Sequence, residues 1–342
     1  MSPATGPRSD PLAERLLRVD PRTGELLDAT VGDLGRFLRP GDLLIVNDGA
    51  TMPGSLPGKS SRGEPVEARL AQPLGEHRFL ALLFGAGDAR QRTEDRPAPP
   101  PLGEGDVIRF GPDLEAVVER VLPESPRLVE IAFSTRGAEL WAALYRLGRP
   151  VQYAYVPAPL PLWDVQTRYA SRPICAEMPS AGRPLAWGLL LDLARRGVRL
   201  ARVSHAAGLS STGDPALDAR LPLPEHFEIP EATARAVREV RAAGGRVVAV
   251  GTTVTRALEG AAALAGGALA AGAGVTDLVL GPEHAPVVVD GVLTGMHEPS
   301  ESHFRLLSAF APGRVLSRAH EHAEAAGYLT HEFGDSMLIL AA

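Results

Sequence analysis

A change of texture between residues 58 and 146 constrains what this chain can fold into more than any other feature. Within that window five short segments of strand type, Val66–Leu70, Arg78–Leu83, Asp106–Phe110, Leu114–Arg120 and Arg127–Phe133, are separated by Gly- and Pro-rich joints. Strands recurring at this interval predict a small β-barrel or sandwich. The stretch Gln91–Gly105, with Pro97 and Pro99–Pro101, reads as a surface loop within it.

The flanks read differently. Thr30 is a candidate N-cap for a helix over Val31–Leu38, and Pro40-Gly41-Asp42 turns into the apolar run Leu43–Val46, a buried strand ended by Asn47-Asp48-Gly49. After Tyr155 strands and helices alternate. Helices are predicted over Pro184–Arg196, Pro230–Ala243, Val254–Leu264 and His303–Phe310. Strands are predicted over Val198–Val203, Arg246–Val250, Asp277–Leu280 and Ser336–Leu340. The simplest architecture is an α/β fold with a discontinuous domain, residues 1–58 and 147–342, and an inserted β-domain at 59–146.

Composition excludes several alternatives. With 36 glycines and 31 prolines the chain needs many turns, yet the hydrophobic residues between them stay periodic, which argues for ordered loops. A single cysteine, Cys175, leaves no intrachain disulfide and no Cys-based zinc site. The first twenty residues lack an apolar signal core, and the uncharged run Gly260–Thr276 is too rich in Ala and Gly for a membrane span. A cytoplasmic protein with no membrane partner is expected. Net charge −6 argues against broad nucleic-acid binding.

Three loops feeding helices or strands are candidates for chemistry. In Gly251-Thr252-Thr253 the glycine permits a sharp turn, and the N–H groups of the following helix face an anion; from the turn alone, an ordinary N-cap is the simpler reading. Thr294-Gly-Met-His297-Glu298-Pro299 offers His297 as an acid or base. His297 and His303 by themselves do not make a metal site, though Glu298 or Glu301 could complete one. Asp335, before the last strand, is placed to orient a base or a ligand hydroxyl, or to close an Asx-type turn. His320 and His322 read as surface residues of a helix.

Taken in order, these segments resemble the S-adenosylmethionine:tRNA ribosyltransferase-isomerase family of queuosine biosynthesis over nearly the whole chain. The resemblance runs through Pro40-Gly41-Asp42-Leu43-Leu44-Ile45-Val46-Asn47-Asp48, Gln166-Thr167 with Tyr169-Ala170, and Pro179-Ser180-Ala181-Gly182. It continues through Gly251-Thr252-Thr253 with Arg256 and Leu258-Glu259, His297 with Pro299, Ser308-Ala309-Phe310, and Gly334-Asp335. It implies an α/β domain interrupted by a β-barrel, and S-adenosylmethionine as co-substrate with no metal. In the family's reaction the sulfonium acidifies the adjacent ribose methylene and a base removes a proton. The sugar then opens, adenine leaves, an amine of 7-aminomethyl-7-deazaguanine in tRNA attacks, and epoxide closure expels methionine. Such chemistry needs a base, donors for adenine and a site for the methionine carboxylate.

Carried over by this resemblance, His297, Asp335 and His205 are the candidate catalytic residues. Asn47, Asp48, Pro179, Ser180, Gly251, Thr252, Thr253 and Arg256 are the candidate co-substrate contacts. The departures are informative. Arg183-Pro184-Leu185 stands where the family has Leu-His-Phe, and the imidazole at His205 is displaced by one residue, which on a strand turns it to the other face. Two histidines expected ahead of Glu225 are absent, and Ser300-Glu301 replaces Lys-Ser. Arginines expected after Asn47-Asp48 and beside Pro53 are Ala50 and Ser55. Lost cations weaken phosphate contacts, so tRNA is a less secure partner than S-adenosylmethionine. A paralogue using S-adenosylmethionine alone or with a small acceptor, and an inactive S-adenosylmethionine-binding protein, are the rival expectations.

Overall fold

A computed structural model describes residues 1–342, and its largest element is a nine-stranded mixed sheet assembled from both ends of the chain. Its strands lie in the order Gly272–Thr276, Glu225–Ile229, Arg199–His205, Leu43–Asn47, Val247–Val250, Gly291–Gly295, Ser336–Ile339, Arg15–Val19 and Leu26–Thr30. The four central strands, from Arg199–His205 to Gly291–Gly295, run parallel; Ser336–Ile339 lies antiparallel beside them. Every residue of Val247–Val250 is buried, as expected of a strand covered on both faces. Helices Glu231–Ala242 and Thr252–Leu264 cover one face, through Val237, Val240, Val254 and Leu258. Helix Trp187–Arg195 covers the other, through Leu189, Leu190 and Leu193.

The inserted β-element is a closed six-stranded barrel, which decides between the barrel and the sandwich. Its five anticipated strands are joined by a sixth, Ser55–Ser60, which pairs with both Pro65–Pro73 and Val107–Gly111 and so removes the free edges. Pro57 and Gly58 lie inside that strand, a composition that reads as a turn when only local sequence is weighed. Helix Gly137–Leu147 seals the barrel interior with Leu140, Ala143 and Leu144. The Gln91–Gly105 loop is pinned by Arg96, whose Nη1 donates to Glu67 Oε2 at 2.6 Å.

Two local expectations change. The segment 277–280 is not a strand; the edge strand is Gly272–Thr276, and helix Thr252–Leu264 is stopped by Gly266 and Gly267 in the left-handed region. A Cβ at Gly260 would meet Thr276 Oγ1 at 2.3 Å, so the small-residue character of this run serves close packing of helix on strand. The helix expected at Val31–Leu38 is a short 3-10 turn, Val31–Arg36, with Thr30 and Asp33 forming a capping box. No helix is long and apolar enough to cross a membrane.

Candidate active site at the carboxyl edge of the sheet

Two of the three loops singled out in the sequence leave adjacent parallel strands at the same edge. Val250 pairs with Leu293, and the Gly251 N–H donates to the Leu293 carbonyl at 2.7 Å. The third joins from the antiparallel strand: the Met296 N–H donates to the Asp335 carbonyl at 2.9 Å. Ligands of open α/β sheets bind at such an edge.

Gly251 has φ +95°, a conformation that only glycine adopts without strain, and it aims the helix Thr252–Leu264 at the edge. The first amides of this helix, those of Thr252, Thr253 and Val254, have no partner in the chain, and no side chain caps them. The threonines therefore do not act as caps. A helix start left open in this way can hold an anion. Pro179 to Gly182 abuts it, since a Cβ on Gly251 would lie 3.6 Å from that of Ala181.

Arg256, one turn into this helix, is buried, and its Nη1 sits 2.6 Å from Glu225 Oε2. Its Nε and Nη2 have no hydrogen-bond partner. Burial raises the Glu225 carboxyl and lowers the Arg256 guanidinium, and the mutual attraction offsets only part of either shift. His205 Nε2 lies 3.2 Å from the same carboxylate oxygen. Burial, followed by the charge of Arg256, pushes His205 down to about 3, so it is neutral. The His205 imidazole faces inward, with no surface exposed.

His297 lies in the neighbouring loop, half-buried, with Nε2 at 2.9 Å from Thr294 Oγ1 and Nδ1 at 3.2 Å from Glu301 Oε2. His303 stacks on it at 4.9 Å between ring centroids. Burial, with His297 and Arg256 nearby, pushes His303 down to about 3. Although burial opposes it, the hydrogen bond and charge of His297 hold Glu301 below the usual carboxylate range.

Asp335 is fully enclosed. Its Oδ1 accepts from Arg8 Nη2 at 2.5 Å and the Arg15 N–H at 3.1 Å, and its Oδ2 accepts from the Leu329 N–H. A Cβ on the preceding Gly334 would meet the Leu329 carbonyl at 2.5 Å, so the Gly334-Asp335 pair closes a tight backbone crossing. Asn47 and Asp48 likewise turn inward. Asn47 holds both the N–H and the carbonyl of His205, and Asp48 receives Ser171, Ser204 and Arg202.

A small cleft adjoins the site, lined by Tyr153, Gln152, Met178, Phe333, Glu177 and Glu332 among others. Tyr153 stacks on Tyr155, and Tyr155 on His331 at 4.3 Å. The tyrosine hydroxyls donate to Glu177 and Glu332 respectively. Neither carboxylate has an Arg or Lys partner, and burial together with the charge of Glu332 pushes Glu177 up to about 7. Sequence reasoning missed these acids and the role of Glu225. The one available signal for Glu225 was its survival in a segment that had lost both histidines.

Comparison with known proteins agrees over the whole chain. The family model described as queuosine biosynthesis protein matches residues 2–339. An S-adenosylmethionine:tRNA ribosyltransferase-isomerase of Anaeromyxobacter dehalogenans (strain 2CP-1 / ATCC BAA-258) is 36% identical over 336 residues, covering 96% of this chain and 92% of that protein. The protein of the same name from Synechococcus sp. (strain CC9605) is 35% identical over 335 residues, covering 95% and 88%. The crystal structure of the S-adenosylmethionine tRNA ribosyltransferase from Thermotoga maritima shares the fold, with a TM-score of 0.54 and 24% identity over 99% of this chain and 96% of that one.

Proposed function

The chain belongs to the queuosine biosynthesis protein family, and on that premise we propose that it binds S-adenosylmethionine and transfers and rearranges its ribosyl group onto an amine, releasing adenine and methionine. The observation that carries this reading is the open start of the Thr252–Leu264 helix. Its three partnerless amides suit the methionine carboxylate, the one fixed anion of the co-substrate, and the buried guanidinium of Arg256 adds positive charge one turn further along the same helix. Thr252, Thr253 and Arg256 position the ligand, and Pro179 and Ser180 border it.

His297 is the proton acceptor for the ribose methylene in this reading. Thr294 fixes one ring nitrogen, and Glu301 stabilises the imidazolium that forms. His205 acts at a distance, by packing against the acid that holds Arg256. Asn47, Asp48 and Asp335 hold the loops in register; their side chains are committed to the protein. The inserted domain, expected over 59–146, runs in this reading from 55 to 147, because strand Ser55–Ser60 and helix Gly137–Leu147 belong to the barrel, and 1–54 with 148–342 form the catalytic domain.

By family membership the acceptor is 7-aminomethyl-7-deazaguanine in tRNA. One observation favours a second reading, a small free amine: Glu177 and Glu332 face an aromatic cleft with no cation of the chain to balance them. A single experiment addresses both. The protein is incubated with S-adenosylmethionine alone, with acceptor tRNA, and with a panel of primary amines, and adenine and methionine are followed by mass spectrometry. Release that depends on tRNA supports the family acceptor, and release with amines supports the second reading. No release in any arm, with S-adenosylmethionine bound in calorimetry, leaves a binding protein.

A further inference from the structure

We propose that His297, Glu301 and His303 form a binding site for a divalent transition metal such as zinc. The three side chains each offer one ligand atom, and these atoms all lie within 4.8 Å of one another. Four-coordinate zinc with bonds of about 2.1 Å separates its ligands by about 3.4 Å. His297 Nδ1 and Glu301 Oε2, 3.2 Å apart, already meet that spacing. The ligand nitrogen of His303, whose ring stacks on that of His297, lies within 4.8 Å of both.

Four further observations point the same way. Thr294 Oγ1, buried and 2.9 Å from His297 Nε2, fixes the ring by the nitrogen that would not bind metal, the usual support of a ligating histidine. Glu301 has no Arg or Lys partner, and its one ion-pair-range neighbour is His297. Glu298, the other acid of the loop, is occupied by the Met1 amine and His320, which leaves Glu301 as the carboxylate ligand. Arg256, a fixed cation close to this cluster, is balanced by Glu225. Two histidines and one carboxylate leave a fourth position for water, and their N/O character suits zinc over magnesium or calcium.

The site departs from the expectation that this chain uses no metal. It stands on side-chain geometry and does not depend on the identity of the substrate. It does bear on the proposed chemistry: metal on Nδ1 occupies the imidazole that would accept the proton, so bound zinc inhibits turnover and does not assist it.

The test uses the full metal-stripped chain without S-adenosylmethionine. Zinc is titrated calorimetrically, and cobalt substitution is followed by its visible bands, which are intense only in four-coordinate sites. One zinc per chain is expected, with micromolar or tighter affinity. Glu301→Gln and His303→Leu should each weaken binding at least about thirtyfold, while His322→Gln leaves it unchanged. Circular dichroism checks that each variant is folded. Substoichiometric binding by the parent chain, or affinity that survives both substitutions, overturns the proposal. Since binding is read directly, failure here leaves the ribosyltransferase reading untouched, and absence of turnover leaves the metal site untouched.

Discussion

Arg256 Nη1 lies 2.6 Å from Glu225 Oε2, an ion pair that joins the helix after Val247–Val250 to a strand three positions away in the sheet. Both partners are buried, and burial costs each of them more than the pair returns. The pair therefore holds the guanidinium in the interior and does not serve as a source of stability.

Removing only the acid leaves an uncompensated buried charge. Glu225→Ala is expected to destabilise the chain by about 3–5 kcal/mol, whereas the paired change Glu225→Leu with Arg256→Met costs much less. Urea unfolding of the three proteins checks this; equal losses in the single and double variants would sink it.

Loss of the proposed base should act on turnover and not on folding. His297→Ala is expected to lower adenine release from S-adenosylmethionine by about 10²–10⁴-fold, with circular dichroism and thermal midpoint near those of the parent. Full activity in the variant removes His297 from the mechanism.

Glu259, read in the sequence as part of the family motif, has a structural function. Its carboxylate accepts the N–H groups of Val287, Val288 and Val289 at 2.8–2.9 Å. Glu259→Ala strands three donors and is expected to cost about 3 kcal/mol or more. Binding of S-adenosylmethionine to the folded fraction should be retained, as measured by calorimetry at low temperature.

Glu14 provides a pH signature. Burial pushes its carboxyl from 4.5 up to about 7, against the hydrogen bond from Ser336 and the charge of Arg183. The folded chain thus holds this proton more tightly than the unfolded chain does. The resulting contribution to stability is complete below about pH 4.5 and is lost as pH rises through about 7. A shift of this size corresponds to about 3 kcal/mol at most. Glu14→Gln, which cannot ionise, should flatten the fall in urea midpoint between about pH 5 and pH 7.5; an unchanged slope would show that another group is responsible.

Much of the architecture was legible because it depends on local pattern. The apolar runs at Leu43–Val46 and Arg246–Val250 and the Pro- and Gly-bounded helix after Pro230 report their own burial by periodicity. Likewise the collinear motifs brought Thr252, Arg256 and His297 forward, and the structure sets the first two in the helix after one strand and His297 in the loop after its neighbour. Where a glycine-rich stretch followed, as at Gly266–Gly274, propensity could not say whether helix or edge strand would continue, and pairing with Glu225–Ile229 decided it.

What the sequence by itself determined is therefore the sequence of elements, the family and the identity of the turns that face one edge. Only the tertiary structure decided which side chains remain free there. Asn47, Asp48 and Asp335 are drawn inward by groups distant in sequence, and Arg256 keeps Nε and Nη2 without partners although Glu225 lies beside it. Glu301 completes a cluster with two histidines because Glu298 is held elsewhere. The physical reason is that hydrogen-bond saturation is a property of long-range neighbours, and no local pattern of residues records it.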